Sequence, residues 1–268
     1  MMNTLIAAAI QMVSGPEVKA NLATAARLIG EAAQRGAQLV VLPEYFAIMG
    51  KQDSDKLAVR EPFGDGPIQS FLAQAAIEHN IWLVGGTVPL VCDDVSRVNN
   101  SCLVYSPAGE CVARYDKMHL FGFDNGTERF CEADTIAAGH QPVAFDTPFG
   151  RIGLSVCYDL RFPEFFRAML PLDFIILPAA FTQTTGEAHW EVLLRARAIE
   201  NQCYVIASGQ GGEHITGRHT FGHSMLIDPW GKVLACQAKG EGVVLAELKS
   251  SQMDRVRRIL PALTHRLL

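Results

Sequence analysis

Residues 151–167 read Arg151-Ile152-Gly153-Leu154-Ser155-Val156-Cys157-Tyr158-Asp159-Leu160-Arg161-Phe162-Pro163-Glu164-Phe165-Phe166-Arg167. The apolar run Ile152–Val156 predicts a strand, and Pro163 opening a second apolar pattern predicts the first turn of a helix. Cys157 therefore falls on a strand-to-helix turn, a place where a nucleophile is useful. Backbone N–H groups there can face an oxyanion, and the adjacent helix end is expected to lower the pKa of a thiol. A buried structural cysteine is the competing reading, and position alone does not choose between them.

The same alternation continues outward in both directions. Strands are expected near Leu5–Met12, Gln38–Leu42, Trp82–Val88, Ser101–Tyr105, Phe174–Leu177, Tyr204–Ala207, His223–Ile227 and Val243–Glu247. Helices are expected at Val18–Gln34, Ile68–His79, Pro163–Met169 and Ala188–Asn201; the first carries Leu22, Ala25, Ala26, Ile29 and Ala33 on one stripe. Such alternation predicts α/β layers. Segments 99–112 and 222–248 read strand–turn–strand, with turns at Pro107-Ala108-Gly109 and Asp228-Pro229-Trp230-Gly231, so antiparallel pairing is mixed in. No linker, repeat or low-complexity tract divides the chain, and residues 1–268 are expected to form a single domain. Gly209-Gln210-Gly211-Gly212 lacks the spacing of a dinucleotide fingerprint and is read as an ordinary turn.

Composition narrows the function class. The 268 residues are 49% apolar and 19% charged, the latter below the roughly 25% of typical domains, which suits a large core and oligomer contacts. With 23 basic against 28 acidic residues and a net charge of −5, no basic field exists to attract phosphate backbones, so no nucleic-acid partner is expected. The longest apolar runs, such as Leu5–Ile10 and Leu39–Leu42, fall well short of the ~20 residues of a membrane helix, and the N-terminus lacks a basic leader region. No membrane partner is expected. The seven cysteines are scattered without a CxxC, which points to a reducing, cytoplasmic setting. The histidines do not cluster either; His219 and His223 would lie ~13 Å apart along a strand. No metal site is expected.

A thiol nucleophile needs a base. Leu39-Val40-Val41-Leu42-Pro43-Glu44 ends a buried strand in a carboxylate, and Arg114-Tyr115-Asp116-Lys117-Met118-His119 places a cation after a strand. Taken singly, Glu44 reads as a solvated loop residue or helix cap and Lys117 as a surface lysine.

Taken together, LPE at 42–44, YDKMHLF at 115–121 and GLSVCYDLRFPE at 153–164 resemble the nitrilase, or carbon–nitrogen hydrolase, superfamily. So do TTGEAHWEVLLRARAIENQCYV at 184–205 and GHSMLIDPWGKV at 222–233, and the resemblance spans nearly the whole chain. It implies an α/β fold, specifically a four-layer αββα sandwich with mixed parallel and antiparallel sheets, and a homodimer or higher homo-oligomer joined through a helical face. It also implies that Cys157 is the nucleophile and Glu44 the general base that later protonates the departing nitrogen. Lys117 would stabilise the tetrahedral oxyanion together with the Tyr158 N–H. Glu132 resembles an accessory glutamate that orients substrate or water, with Glu128 as its rival in a loop that departs from the family pattern; Cys131 beside it reads as a small filler. No cofactor is called for.

The motif contexts are most similar to amidases that hydrolyse deaminated glutathione to 2-oxoglutarate and cysteinylglycine. Amidases of 2-oxoglutaramate or succinamate are the alternative. Each of these small-molecule amides carries a carboxylate, and Arg161, just past the nucleophile turn, is the expected carboxylate-binding residue, a structural ion pair being its competing role. A true nitrilase fits the motif contexts less well. A non-catalytic binding protein would not need Glu44, Lys117 and Cys157 together, and a dinucleotide-dependent oxidoreductase lacks its phosphate loop.

Overall fold

Alternate residues of the strand Thr4–Gln11 belong to two different cores. Leu5, Ala7 and Ala9 point into one, and Ala8 and Ile10 into the other, as the two-residue period of a strand requires. This strand lies inside an eight-stranded sheet running Gly242–Lys249, Thr4–Gln11, Leu39–Val41, Trp82–Val84, Val98–Tyr105 and Val88–Val91; Cys111–Asp116 and Ile136–Ala137 also pair with Val98–Tyr105. Parallel register (Ala7 opposite Leu39, Leu39 opposite Trp82) gives way to antiparallel pairing at both sides. The structure, a computed structural model, describes residues 4–127 and 129–267.

A second sheet of six strands runs Val143–Thr147, Gly150–Leu154, Phe174–Ala179, Tyr204–Gly209, Ser224–Ile227 and Val233–Gln237, its inner three strands parallel and the rest antiparallel. One core joins its side chains (Ile152, Leu154, Ile176, Ile206) to Leu5, Ala7, Leu39, Val41 and Val104 of the first sheet. Helices α1 (Val18–Gln34) and α2 (Pro67–His79) bury Ala25, Leu28, Ile29, Leu72 and Ala76 against the other face of the first sheet. Helices α3 (Pro163–Ala168) and α4 (Gln183–Asn201) place Phe165, Phe166, Trp190, Leu194 and Ala198 against the second. The layers are thus α, β, β, α, with mixed sheets, as the family resemblance implies; the sequence pattern alone reaches only mixed α/β.

Helices α1 to α4 fall within a few residues of the expected positions. Three local readings change. The run Trp82–Val88 is two strands, because Gly86 adopts φ 54° and passes so close to the Glu44 turn that a Cβ there would sit 2.1 Å from the Pro43 carbonyl oxygen. Residues 209–212 are not a turn: Gln210 bridges to Met12 and the chain continues extended into Gly211–Glu213. A fifth helix, α5 (Ser250–Ile259), lies outside the expected set; its narrow apolar stripe, buried at Met253 and Val256, is set in a strongly polar segment. No helix among the described residues is long and apolar enough to cross a membrane.

Candidate active site

Glu44, Lys117 and Cys157 each follow the end of a strand: Leu39–Val41, Cys111–Asp116 and Gly150–Leu154. The fold brings all three together. Lys117 Nζ donates to Glu44 Oε1 at 2.9 Å and to Glu132 Oε1 and Oε2 at 2.8 and 2.7 Å, so one ammonium is held between two carboxylates. The Lys117 and Glu44 side chains are 0% and 1% exposed. Asn100 Nδ2 donates to the same Glu44 oxygen at 2.9 Å, while the Ala180 N–H donates to Oε2 at 3.0 Å. Glu132 accepts further from the Tyr45 hydroxyl at 2.8 Å and from the Phe121 N–H at 2.7 Å. Buried charges with this many partners are held in one geometry. Glu132 is the carboxylate that reaches the cluster; Glu128 lies outside the described residues.

Backbone close to the cluster is unusual. Cys157 (φ 51°) and Tyr45 (φ 57°) both sit in the left-handed region, which residues with a Cβ rarely adopt. Several residues overlooked in the sequence hold these turns. Asp159 Oδ2 accepts from the Val156 N–H and the Tyr115 hydroxyl, both at 2.7 Å. Its Oδ1 accepts from the His119 N–H at 3.2 Å and pairs with His119 Nδ1 at 2.7 Å. One buried carboxylate thereby joins the nucleophile turn to the segment following Lys117. From α4, Arg197 donates twice to the Leu160 carbonyl, at 3.0 and 2.7 Å. Gln210 Nε2 reaches the Glu44 carbonyl at 3.1 Å and the Ser14 hydroxyl at 2.8 Å. Gly139 closes over Lys117, its N–H on the Lys117 carbonyl at 2.9 Å, where a Cβ would meet Asp116 O at 2.1 Å.

Electrostatics separate the groups. Burial raises the proton affinity of Glu44; Lys117 opposes this and the Glu132 charge reinforces it, leaving Glu44 above the usual carboxylate range. For Glu132, burial also favours the proton, but Lys117 outweighs it and holds that carboxyl below its ordinary value. Burial works against the Lys117 charge, yet Glu132 and Glu44 overcome it and keep the ammonium protonated well beyond its usual pH. Cys157 departs from expectation. Burial and then the Glu44 charge push its thiol well up, Lys117 compensating in part, and the side chain hydrogen-bonds to Glu44. Desolvation and the facing carboxylate thus favour the protonated sulfur and work against the lowering expected from the helix end.

Cys157 stands where two recesses meet. Phe121, Ala180 and Thr182 line both; one recess adds Tyr158, Arg161, Phe181 and Thr185, and the other adds Glu44, Glu132, Lys56, Phe130 and Arg218. Arg161 has its guanidinium 5.6 Å from the Tyr158 ring centre and 5.4 Å from that of Phe181, with His189 Nδ1 3.2 Å away. Among the described residues it forms no ion pair with a carboxylate. No group of three or more His, Cys, Asp or Glu side chains among the described residues is arranged to hold a metal ion. The cation held between Glu44 and Glu132 is Lys117.

The chain is similar to known proteins over nearly its whole length. The family model described as carbon–nitrogen hydrolase matches residues 6–258. The deaminated glutathione amidase of Synechocystis sp. is 41% identical over 274 residues, covering 99% of each chain. An omega-amidase of Xenopus laevis is 37% identical over 256 residues, covering 94% of this chain and 91% of its own. Among solved structures, Saccharomyces cerevisiae Nit3, described as a member of branch 10 of the nitrilase superfamily, superposes with a TM-score of 0.90 at 30% identity, covering 100% of this chain and 98% of that one.

Proposed function

The chain belongs to the carbon–nitrogen hydrolase family and is an enzyme acting on amides; from that premise we propose that its substrate is deaminated glutathione, cleaved to 2-oxoglutarate and cysteinylglycine through a thioester on Cys157. The Cys157 Sγ attacks the amide carbon while its proton passes to Glu44, whose raised proton affinity suits it to that task. Attack therefore starts from the thiol, and no free thiolate is needed. The carbonyl oxygen gains negative charge beside the Lys117 ammonium and the Tyr158 N–H. When the tetrahedral adduct collapses, Glu44 returns the proton to the amine of cysteinylglycine, and the acyl group stays on sulfur. Water then replaces the amine: Glu44 takes its proton, the oxygen attacks the thioester, and Cys157 leaves as a thiol reprotonated by Glu44. Glu132 keeps Lys117 charged and aimed throughout both halves.

The observation that carries the substrate assignment is Arg161, whose guanidinium lines a recess with Cys157 and has no carboxylate partner among the described residues. A two-pronged hydrogen bond from this group to the carboxylate of the 2-oxoglutaryl moiety fixes the amide over the sulfur. The same contact serves 2-oxoglutaramate, and the Xenopus relative's name keeps that reading as the second one. Comparing kcat/KM for deaminated glutathione, 2-oxoglutaramate, a neutral short amide and a nitrile, by 2-oxoglutarate or ammonia formation, separates them. Deaminated glutathione is expected to rank first; preference for 2-oxoglutaramate by tenfold would assign the enzyme to the second reading. We further place the chain in the cytoplasm, as one domain assembled into a homodimer or larger homo-oligomer.

A further inference from the structure

Deaminated glutathione differs from 2-oxoglutaramate in one chemical respect that the site can read. Both carry a carboxylate on the acyl side of the scissile amide, but only the former carries a second one, on glycine, on the amine side. An enzyme cleaving it well needs cations on both sides of the nucleophile. Arg161 is on one side. The other recess holds Lys56 and Arg218, with Asp53 on the same wall, from elements far apart in sequence: Lys56 and Asp53 on the short helix Asp53–Val59, Arg218 on the turn before His219–Phe221.

Neither cation is held by a close, buried carboxylate among the described residues: the ion pair of Arg218 with Asp53 is long and exposed. Lys56 Nζ donates to the Thr135 hydroxyl at 3.1 Å and lies 5.5 Å from the Tyr45 ring centre. Arg218 stacks 5.2 Å from the Phe130 ring centre, and its nearest carboxylate oxygen, Asp53 Oδ1, is 3.8 Å away, beyond hydrogen-bond distance. The Asp53 side chain is 53% exposed against 30% for Arg218, so solvent weakens that pairing. Burial pushes the Lys56 ammonium towards lower pKa, Asp53 and Glu132 oppose this, and the nearby Arg218 and Lys117 charges add to it, so an arriving anion would favour its charged form.

We propose that Lys56 and Arg218 form a second carboxylate subsite, which binds the glycine carboxylate of the leaving cysteinylglycine and makes the enzyme prefer deaminated glutathione over amides that release ammonia. This rests on the amidase reading above. With Cys157 on the wall shared by the two recesses, the scissile bond spans them, acyl group towards Arg161 and amine towards Lys56 and Arg218.

The test compares kcat/KM for deaminated glutathione, its analogue with the glycine carboxylate converted to a carboxamide, and 2-oxoglutaramate, in the wild type and in Arg218→Ala, Arg218→Lys and Lys56→Met. A charged hydrogen-bonding contact predicts that Arg218→Ala and Lys56→Met each lose about tenfold or more on deaminated glutathione beyond any loss on 2-oxoglutaramate. Arg218→Lys should fall between. The wild type should lose a similar factor on the carboxamide, and Arg218→Ala should no longer distinguish carboxylate from carboxamide. Equal losses on deaminated glutathione and 2-oxoglutaramate, or a wild type indifferent to the carboxamide, would overturn the subsite while leaving the amidase reading in place. A wild type that cleaves 2-oxoglutaramate but not deaminated glutathione would overturn the substrate reading itself.

Discussion

Replacing Lys117 by methionine removes the ammonium between the buried Glu44 and the largely buried Glu132, and its consequences can be worked out from the geometry. At 2.9 Å and an effective dielectric constant of ~20, the attraction to Glu44 alone is about 6 kcal/mol before the cost of burying the charges is deducted. Breaking a buried pair by removing one partner typically costs about 3–5 kcal/mol, which for a chain of 268 residues lowers Tm on the order of 10 °C at pH 7. The deficit should depend on pH. Without Lys117, which lowers both carboxyls in the wild type, Glu44 and Glu132 have folded-state pKa values raised above the unfolded value of ~4.3. A raised carboxyl destabilises the fold only as pH climbs past the unfolded pKa, because the unfolded chain then ionises first. The Tm gap between variant and wild type should therefore be small near pH 4 and widen towards pH 7. Turnover should fall by at least ~10²–10³, the typical loss of one oxyanion donor, even where the variant is folded. Calorimetry across pH with kcat measured on the same preparations checks both parts. A Tm gap independent of pH, or kcat near wild type, would refute the reasoning.

Other perturbations separate the remaining roles. Glu44→Gln keeps shape but cannot take the thiol proton, so kcat should fall by ~10²–10⁴ with single-turnover acylation slowed to the same degree; near-normal acylation would contradict its role as base. Arg161→Ala should reduce kcat/KM for carboxylated amides roughly 10- to 150-fold relative to a neutral short amide, and an equal loss on both would make Arg161 a support of the turn instead. Because Cys157 is buried and its thiol is pushed up further than those of the exposed Cys111 and Cys236, iodoacetamide mapped by mass spectrometry should label Cys111 and Cys236 before Cys157; fastest labelling at Cys157 would contradict a protonated resting sulfur.

Much of the site was legible because its parts lie in local contexts: a carboxylate after Leu42-Pro43, a lysine after Tyr115-Asp116 and a cysteine after an apolar strand. That these three meet was given by the family resemblance, since strand pattern alone does not say which strand ends converge. Helix α1 was legible from its apolar stripe, whereas α5 was not, its narrow stripe at Met253 and Val256 being set in a strongly polar segment. Asp159, Asn100 and Gln210 were overlooked for a common reason. Asn100 and Gln210 meet Glu44 from 56 and 166 residues away, and Asp159 meets His119 from 40, so no local pattern marks them. What opposes a lowered thiol pKa was not legible, because the nearby helix end is visible in the sequence while the burial and the facing carboxylate belong to the assembled fold.

The most direct measurement is trapping of the acyl-enzyme. Wild-type protein mixed with deaminated glutathione, quenched in acid within one turnover and digested for mass spectrometry, should carry one 2-oxoglutaryl group on the peptide containing Cys157, with cysteinylglycine released in the same amount. Cys157→Ala should carry none and show no turnover at an unchanged Tm. An adduct on another residue, or turnover retained in Cys157→Ala, would contradict a thioester mechanism at this cysteine.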